Sequence, residues 1–120
     1  MGVVIHYGAA MYVKDGAEQP IGPFSGHLEA LVADVLAAAT HAGIAHRRFM
    51  VGVPAYMVGL GGVVVGIAVL SGPVGWLVIG VGAATSGTGL GLMGNGVTHA
   101  IDAVNLHNDA VPGLRQPLVR

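Results

Sequence analysis

Histidine and carboxylate side chains are the groups in this 120-residue sequence that could bind a metal ion or transfer a proton. Imidazole and carboxylate ligands suit zinc and related transition metals, so a site would form if the fold brought together His41, His46, Asp102 and His107. However, no two histidines show the i, i+4 spacing of a helical metal-binding pair. We therefore predict no metal and no other cofactor, and we interpret these residues as polar groups beside a membrane.

Other catalytic groups are scarce. The chain has no cysteine, which excludes a thiolate nucleophile and a disulfide framework. No aspartate or glutamate lies between residues 49 and 101, which argues against a proton-carrying rotor subunit with an ionisable group in the membrane. Three hydroxyl groups lie in an apolar stretch, at Thr85, Ser86 and Thr88, where they would bond to backbone carbonyls or line a polar path. We predict that the chain is not an enzyme.

Three glycines match the spacing of a nucleotide-binding motif, but the surrounding sequence lacks the features that the motif needs. Gly89, Gly91 and Gly94 fit G-x-G-x-x-G, but this motif needs a preceding strand and an acidic residue about 20 positions later. The residue at that distance is Leu114, and the motif lies inside an apolar run. A net charge of −1, from five basic and six acidic residues, provides no basic surface for phosphates. The sequence therefore predicts no nucleotide site and no nucleic-acid partner.

The elements that position these residues follow from a run of 53 uncharged residues between Arg48 and Asp102. A membrane-spanning helix needs about 20 apolar residues, so the run is long enough for two spans and a turn. A Ser-Gly-Pro-Val-Gly segment over residues 71–75 marks the turn, because proline cannot continue a helix. It separates two stretches of 21 residues each, 50–70 and 74–94, whose helices would be about 31 Å long.

The predicted fold is an all-α membrane protein: an antiparallel, glycine-rich two-helix transmembrane hairpin over residues 49–94, with amphipathic helical extensions on both arms. The amino-terminal extension has apolar residues at helical spacing and begins at Ser25, a favourable N-cap. Before it, short β-prone pieces surround a Lys-Asp-Gly turn signal. The segments predicted outside the hairpin are an irregular or β-prone segment over 1–24, an amphipathic helix over 25–48, a short amphipathic helix over 95–108 and an extended tail over 109–120.

A polar collar is expected where the hairpin leaves the membrane. If the chain folds back at Pro73, residues just outside one span lie opposite residues just outside the other. The expected neighbours are His46 and Arg47 beside Asp102, and His41 beside His107. Basic residues favour the cytoplasmic side of a membrane, and Arg47 directly precedes Arg48 and the first span. With two spans, both termini are then predicted to be cytoplasmic.

Glycine provides the main signal for helix packing, with 21 glycines in the chain. A glycine inside a helix is about 1 kcal/mol less favourable than alanine, so close helix contacts must offset this cost. Small residues four apart let the backbones of two membrane helices approach. This spacing predicts the helix-packing residues Gly59, Gly62, Gly66, Ala83, Gly87 and Gly91. Glycines lie on more than one face of the second span, which favours contacts between subunits as well.

These features predict a structural membrane-embedded subunit that assembles with copies of itself through glycine-mediated helix packing. Such a subunit would be pilin-like, part of a virion or part of a larger complex. Its expected partners are the lipid bilayer, further copies of the chain and other subunits of that assembly. Its expected location is the membrane, or an extracellular particle or virion into which it is incorporated.

Two alternatives use the same features differently. In the first, several hairpins surround a pore, so that the protein is a channel or a holin-like or toxin-like permeabilising protein. Thr85, Ser86 and Thr88 would then line the path. In the second, partner chains cover the apolar hairpin in a soluble particle. We favour the packed assembly, because glycines spread around the helices suit contacts on several sides more than one open lumen.

Overall fold

The part of the chain that the structure describes folds into a small sheet followed by three helices. The computed structural model describes residues 2–6, 9–14, 16–20, 24 and 26–111. The described part is mostly helical, and its two long helices pack against each other. The elements are β1 (Gly2–His6), β2 (Ala9–Lys14), β3 (Ala17–Pro20), α1 (Leu28–Leu31), α2 (Leu36–Ala68) and α3 (Gly72–Ala110).

The chain divides into two compact units, each with its own packing. The first unit comprises Met1–Arg47 together with Val97–Arg120, and the second comprises Arg48–Gly96. The first unit contains the sheet, α1 and the outer ends of both long helices. The second contains the apolar parts of α2 and α3. The predicted tail beyond Val111 lies outside the described residues.

The sheet is antiparallel, with strand order β1-β2-β3. Its first two strands are rich in β-branched and aromatic residues, which suit extended backbone. Lys14 pairs with Ala17, so β2 and β3 are joined by a two-residue connection. In that connection Gly16 has a φ of 78°, a conformation that glycine adopts without strain. The β-prone amino-terminal pieces are strands in the structure.

The helix predicted over residues 25–48 is interrupted. Only a single turn, α1, forms before the chain bends at residues 32–35, where the Val35 amide donates to the Val32 carbonyl at 3.0 Å. Ser25 lies outside the described residues, and His27 precedes α1 without a side-chain cap. The bend is favoured by burial, because it lets Leu28 and Val32 pack into the core of the first unit.

From Leu36 onward the helix is continuous into the apolar stretch, so the predicted extension and first span form one helix of 33 residues. The second arm likewise forms one helix of 39 residues, from Gly72 to Ala110. Pro54 lies inside α2, where it cannot donate a hydrogen bond to the Met50 carbonyl.

The connection between the long helices lies earlier than predicted. The Val69 and Leu70 amides both donate to the Val65 carbonyl, at 3.0 and 3.3 Å, and end α2. Gly72 then starts α3 with a φ of 67°. Pro73 therefore lies in the first turn of α3, where its missing N–H costs nothing and its fixed φ suits the helix.

The core of the first unit is built from small and branched apolar side chains. Its buried members come from α1 and the adjoining bend, from the start of α2 and from the end of α3. Three of the six are alanines, which allows the helices to approach closely. The buried residues are Leu28, Val32, Ala38, Ala42, Ala103 and Val104, with Leu31, Val35, Ala39, Ala100 and Leu106 packed against them.

The second unit exposes most of its large apolar side chains. Val58 and Trp76 are 70% and 75% exposed. Both long helices are apolar and long enough to cross a membrane, and only 17% of the most apolar window of each is buried within the chain. The other exposed large apolar residues of this unit include Val51, Met57, Leu60, Val64, Ile67, Leu77, Val81 and Leu90.

Candidate functional site

Seven buried glycines form the contact between α2 and α3 in the second unit. We call them the glycine seam: Gly52, Gly59 and Gly66 on α2, with Gly75, Gly82, Gly89 and Gly96 on α3. A Cβ atom at Gly52 would lie 2.9 Å from the Gly89 carbonyl oxygen, and one at Gly66 would lie 3.0 Å from that of Gly75. Side chains are excluded at these distances, so the two backbones touch directly.

The seam has a regular spacing of seven residues on both helices. A straight α-helix has about 3.6 residues per turn, so a strict seven-residue repeat keeps one contact line only if the helices coil slightly around each other. The same spacing continues in the first unit at Ala38, Ala45 and Ala103, all fully buried. The repeat is visible in the sequence, but Gly80 and Gly87 share the spacing and are open, so the spacing alone does not identify the seam.

The predicted packing residues fall on two different faces. Gly59 and Gly66 belong to the seam, and a Cβ at Gly62 would make an ordinary contact, 3.4 Å from the Gly82 Cα. Ala83 is exposed. A Cβ at Gly87 or Gly91 would meet no other described atom within 4 Å. The spacing of four residues on α3 therefore marks a face that α2 does not cover.

An outer stripe of small residues runs along this face of α3. We define it as Gly80, Ala84, Gly87 and Gly91, which are all exposed and are separated by four, three and four residues. Such spacing places them on one side of a helix. At each of the three glycines, an added Cβ would meet open space in the described part of the chain. On α2, Gly61 is open in the same way.

The three hydroxyl groups do not form a shared polar surface. Thr85 donates to the Val81 carbonyl at 2.8 Å, and Thr88 donates to the Ala84 carbonyl at 2.9 Å. Both bonds stay within α3. Ser86 is buried against Gly59 in the seam. These contacts satisfy the threonine donors within their own helix, as is common for small hydroxyls in apolar helices.

A histidine–aspartate cluster lies in the first unit. His41 of α2 faces His99 and Asp102 of α3, which are three residues apart and therefore on one side of that helix. The Nδ1 atoms of the two histidines are 2.9 Å apart, and the His41 Nδ1 lies 3.7 Å from the Asp102 Oδ2. One ligand atom from each residue lies within 4.8 Å of the others, and all three residues are half-buried.

The helices bring these three side chains together because small residues surround them. Ala38, Ala42 and Ala103 are fully buried beside the cluster in sequence and keep the two helices close. A hydrogen bond between two Nδ1 atoms needs a proton on one ring and a lone pair on the other. His99 was absent from the predicted collar, although its spacing of three from Asp102 is visible in the sequence.

The other members of the predicted collar have different neighbours. His46 Nδ1 lies 2.9 Å from the Phe24 carbonyl oxygen, to which it donates, and Arg47 Nε donates to the Gly43 carbonyl at 3.4 Å. His41, rather than His46, lies beside Asp102. The difference arises because the chain turns before Pro73, which moves the position on α2 that faces Asp102 by five residues, from His46 to His41.

His107 is paired with a carboxylate that the sequence did not single out. It is fully buried, and its Nε2 lies 3.1 and 3.2 Å from the two carboxylate oxygens of Asp34. Its Nδ1 is also buried and has no hydrogen-bond partner among the described residues. Asp34 lies in the bend before α2, so this bond ties the bend to α3.

No protein-family model, curated protein or solved structure matches this chain. Three features of the chain itself bear on its function: the glycine seam, the outer stripe and the exposed apolar surface of the second unit.

Proposed function

We propose that this chain is a structural membrane protein, in which Arg48–Gly96 forms an antiparallel transmembrane hairpin and copies of the hairpin assemble side by side. The carrying observation is the division of the glycines into two sets. One set closes the contact between α2 and α3, and the other lies open on the outer face of α3. The first set accounts for the hairpin, and the second supports contact with another copy.

Membrane insertion is supported by the character of the exposed surface. An exposed patch of large apolar side chains is rare on a soluble monomer and is favourable in lipid. The apolar parts of both helices also satisfy their own backbone hydrogen bonds, as a bilayer requires. At 1.5 Å per residue, α2 and α3 are about 50 and 59 Å long, so their polar ends would extend beyond a hydrocarbon core of about 30 Å.

Self-assembly is supported by the unfavourable helix propensity of the exposed glycines in the outer stripe. Each exposed glycine in a helix is about 1 kcal/mol less favourable than alanine, and neither α2 nor any other described element offsets that cost at Gly80, Gly87 and Gly91. A second helix could approach this face to backbone distance and gain dispersion contacts along it. A second copy of the chain provides such a helix.

The proposed orientation has both ends of the hairpin on the cytoplasmic side. Arg47 and Arg48 are exposed where α2 enters the apolar stretch, and basic residues in this position favour the cytoplasm. Incorporation into a pilin-like or virion assembly would then follow from packing of the hairpins rather than from a soluble domain.

A pore receives less support than a packed assembly. The threonine hydroxyls donate to carbonyls of their own helix, and Ser86 is buried in the seam. Apart from Arg48, Ser71 and Asn95 at its two ends, the remaining outer surface of the second unit is apolar or glycine, which suits lipid and helix contacts more than water. The pore and the packed assembly can be distinguished by experiment, because only the pore predicts particles with a central hole.

The direct test is the size and form of particles extracted from membranes in mild detergent, measured by electron microscopy and light scattering. We expect a defined oligomer or a packed polymer without a lumen. A closed ring with a central hole, together with conductance in planar bilayers, would replace this proposal with the pore. The proposal would be contradicted if the protein were monomeric at all concentrations, or if it were recovered in the soluble fraction and not with the membranes.

A further inference from the structure

We propose that His41, His99 and Asp102 bind one divalent transition-metal ion of the zinc class. The ligands would be the Nδ1 atoms of both imidazoles and one carboxylate oxygen. All three residues belong to the first unit, so this proposal is independent of how the second unit assembles.

Two of the three ligand-atom distances lie close to those of a metal site, and the third is within 4.8 Å. Zinc binds imidazole nitrogen and carboxylate oxygen at about 2.0–2.2 Å, which separates neighbouring ligands of a tetrahedral site by about 3.4 Å. The separations of 2.9 Å between the two Nδ1 atoms and 3.7 Å between His41 Nδ1 and Asp102 Oδ2 lie on either side of this value. Small side-chain rotations would therefore place an ion between the three groups.

The donor set also selects the class of metal. Two imidazoles with one carboxylate suit zinc, cobalt, nickel or copper more than calcium or magnesium, which prefer oxygen ligands. Without a metal, the close Nδ1 atoms can share only one proton between them. A bound cation would use the lone pairs of both atoms and would also neutralise the Asp102 charge.

The ion would link α2 to α3 within the first unit. His41 comes from one helix, and the other two ligands come from the second helix. Metal that binds only the folded arrangement adds its binding free energy to the stability of that arrangement. Three protein ligands leave a fourth position, and the half-buried surroundings of the cluster admit a water molecule there.

The test uses the full chain, purified in mild detergent and stripped of metal with a chelator. Zinc binding is measured by calorimetry, and cobalt(II) absorption reports the coordination geometry. We expect one metal per chain, with affinity lowered about 10-fold or more in Asp102→Asn and in His99→Gln. Zinc should raise the thermal unfolding temperature of the wild type and have a smaller effect on either variant.

Two control variants locate the site. His27→Gln removes an exposed histidine of the same unit, and Asp34→Asn alters the other histidine–carboxylate pair. Both should bind zinc like the wild type, and circular dichroism should confirm that every variant remains helical. The proposal is overturned if the wild type binds no zinc, if Asp102→Asn and His99→Gln bind it unchanged, or if either control loses as much affinity as they do.

Discussion

Gly82 of α3 lies directly against the backbone of Gly59 of α2: a Cβ atom on Gly82 would be 2.7 Å from the Gly59 carbonyl oxygen and 2.8 Å from the Val63 amide nitrogen. Real side chains do not occupy such positions, so any larger residue must push the helices apart. Gly80, only two residues earlier, has open space around the same atom. Comparing alanine at the two positions therefore separates two effects. One is the steric effect of a methyl group in the helix contact, and the other is the gain in helix propensity that alanine brings at either position.

Gly82→Ala should therefore destabilise the second unit, with a loss of about 1–3 kcal/mol in the free energy of unfolding because of overpacking. Gly80→Ala is the matched control, and it should be neutral or more stable by up to about 1 kcal/mol because alanine favours the helix. Unfolding in detergent, followed by circular dichroism, measures both. Equal stability of the two variants would contradict direct backbone contact at the seam.

Gly87→Leu and Gly91→Leu should block assembly and leave membrane insertion intact. A leucine at either position places a bulky side chain on the outer stripe and keeps a second helix from approaching. It does not touch the seam, because the added side chain points into open space. Gly61→Leu is the control, since it adds the same side chain at an open position on α2. Light scattering of detergent extracts gives the particle mass. If both α3 variants assemble like the wild type, the outer stripe is not the contact between copies.

The two long helices could be predicted from sequence because they depend on a local property. A run of 53 residues without a charged side chain, most of them apolar or glycine, is typical of long apolar helices. The division of the glycines does not follow from their spacing alone. Gly52, Gly59 and Gly66 are seven residues apart and buried, whereas Gly80 and Gly87 are also seven residues apart but open. Which set faces the other helix depends on how α2 and α3 pack.

The neighbours of the polar residues could not be predicted, because they depend on where the chain turns and bends. The helix break at residues 32–35 is favoured by burial of Leu28 and Val32, which helical periodicity does not reveal. The turn depends on Gly72 adopting a positive φ before Pro73. A shift of five residues along α2 exchanged the expected partner of Asp102, His46, for His41.

Asp34→Ala should destabilise the first unit by about 1–3 kcal/mol, because it leaves the buried Nε2 of His107 without its carboxylate acceptor. Asp109→Ala is a charge-matched control near the end of α3. Asp109 is exposed, and removing a negative charge close to a helix carboxyl terminus should change stability little or slightly favour folding. Thermal unfolding gives the comparison, and hydrogen exchange of residues 28–47 locates the loss. If Asp34→Ala is as stable as Asp109→Ala, the His107 pair contributes nothing to the fold.

Val58→Glu should prevent stable insertion into the membrane. Val58 is 70% exposed near the middle of the apolar part of α2, and an acidic side chain at the centre of a membrane helix costs about 2.5–3.5 kcal/mol. Leu36→Glu is the matched control, because Leu36 is 82% exposed on the same helix but lies before the charged pair at Arg47 and Arg48. It should insert like the wild type.

Alkaline extraction of isolated membranes distinguishes inserted from peripheral protein. If Val58→Glu remains as firmly inserted as Leu36→Glu, this face of α2 does not contact lipid. If the wild type itself is released as a soluble particle, partner chains rather than a bilayer cover the apolar helices.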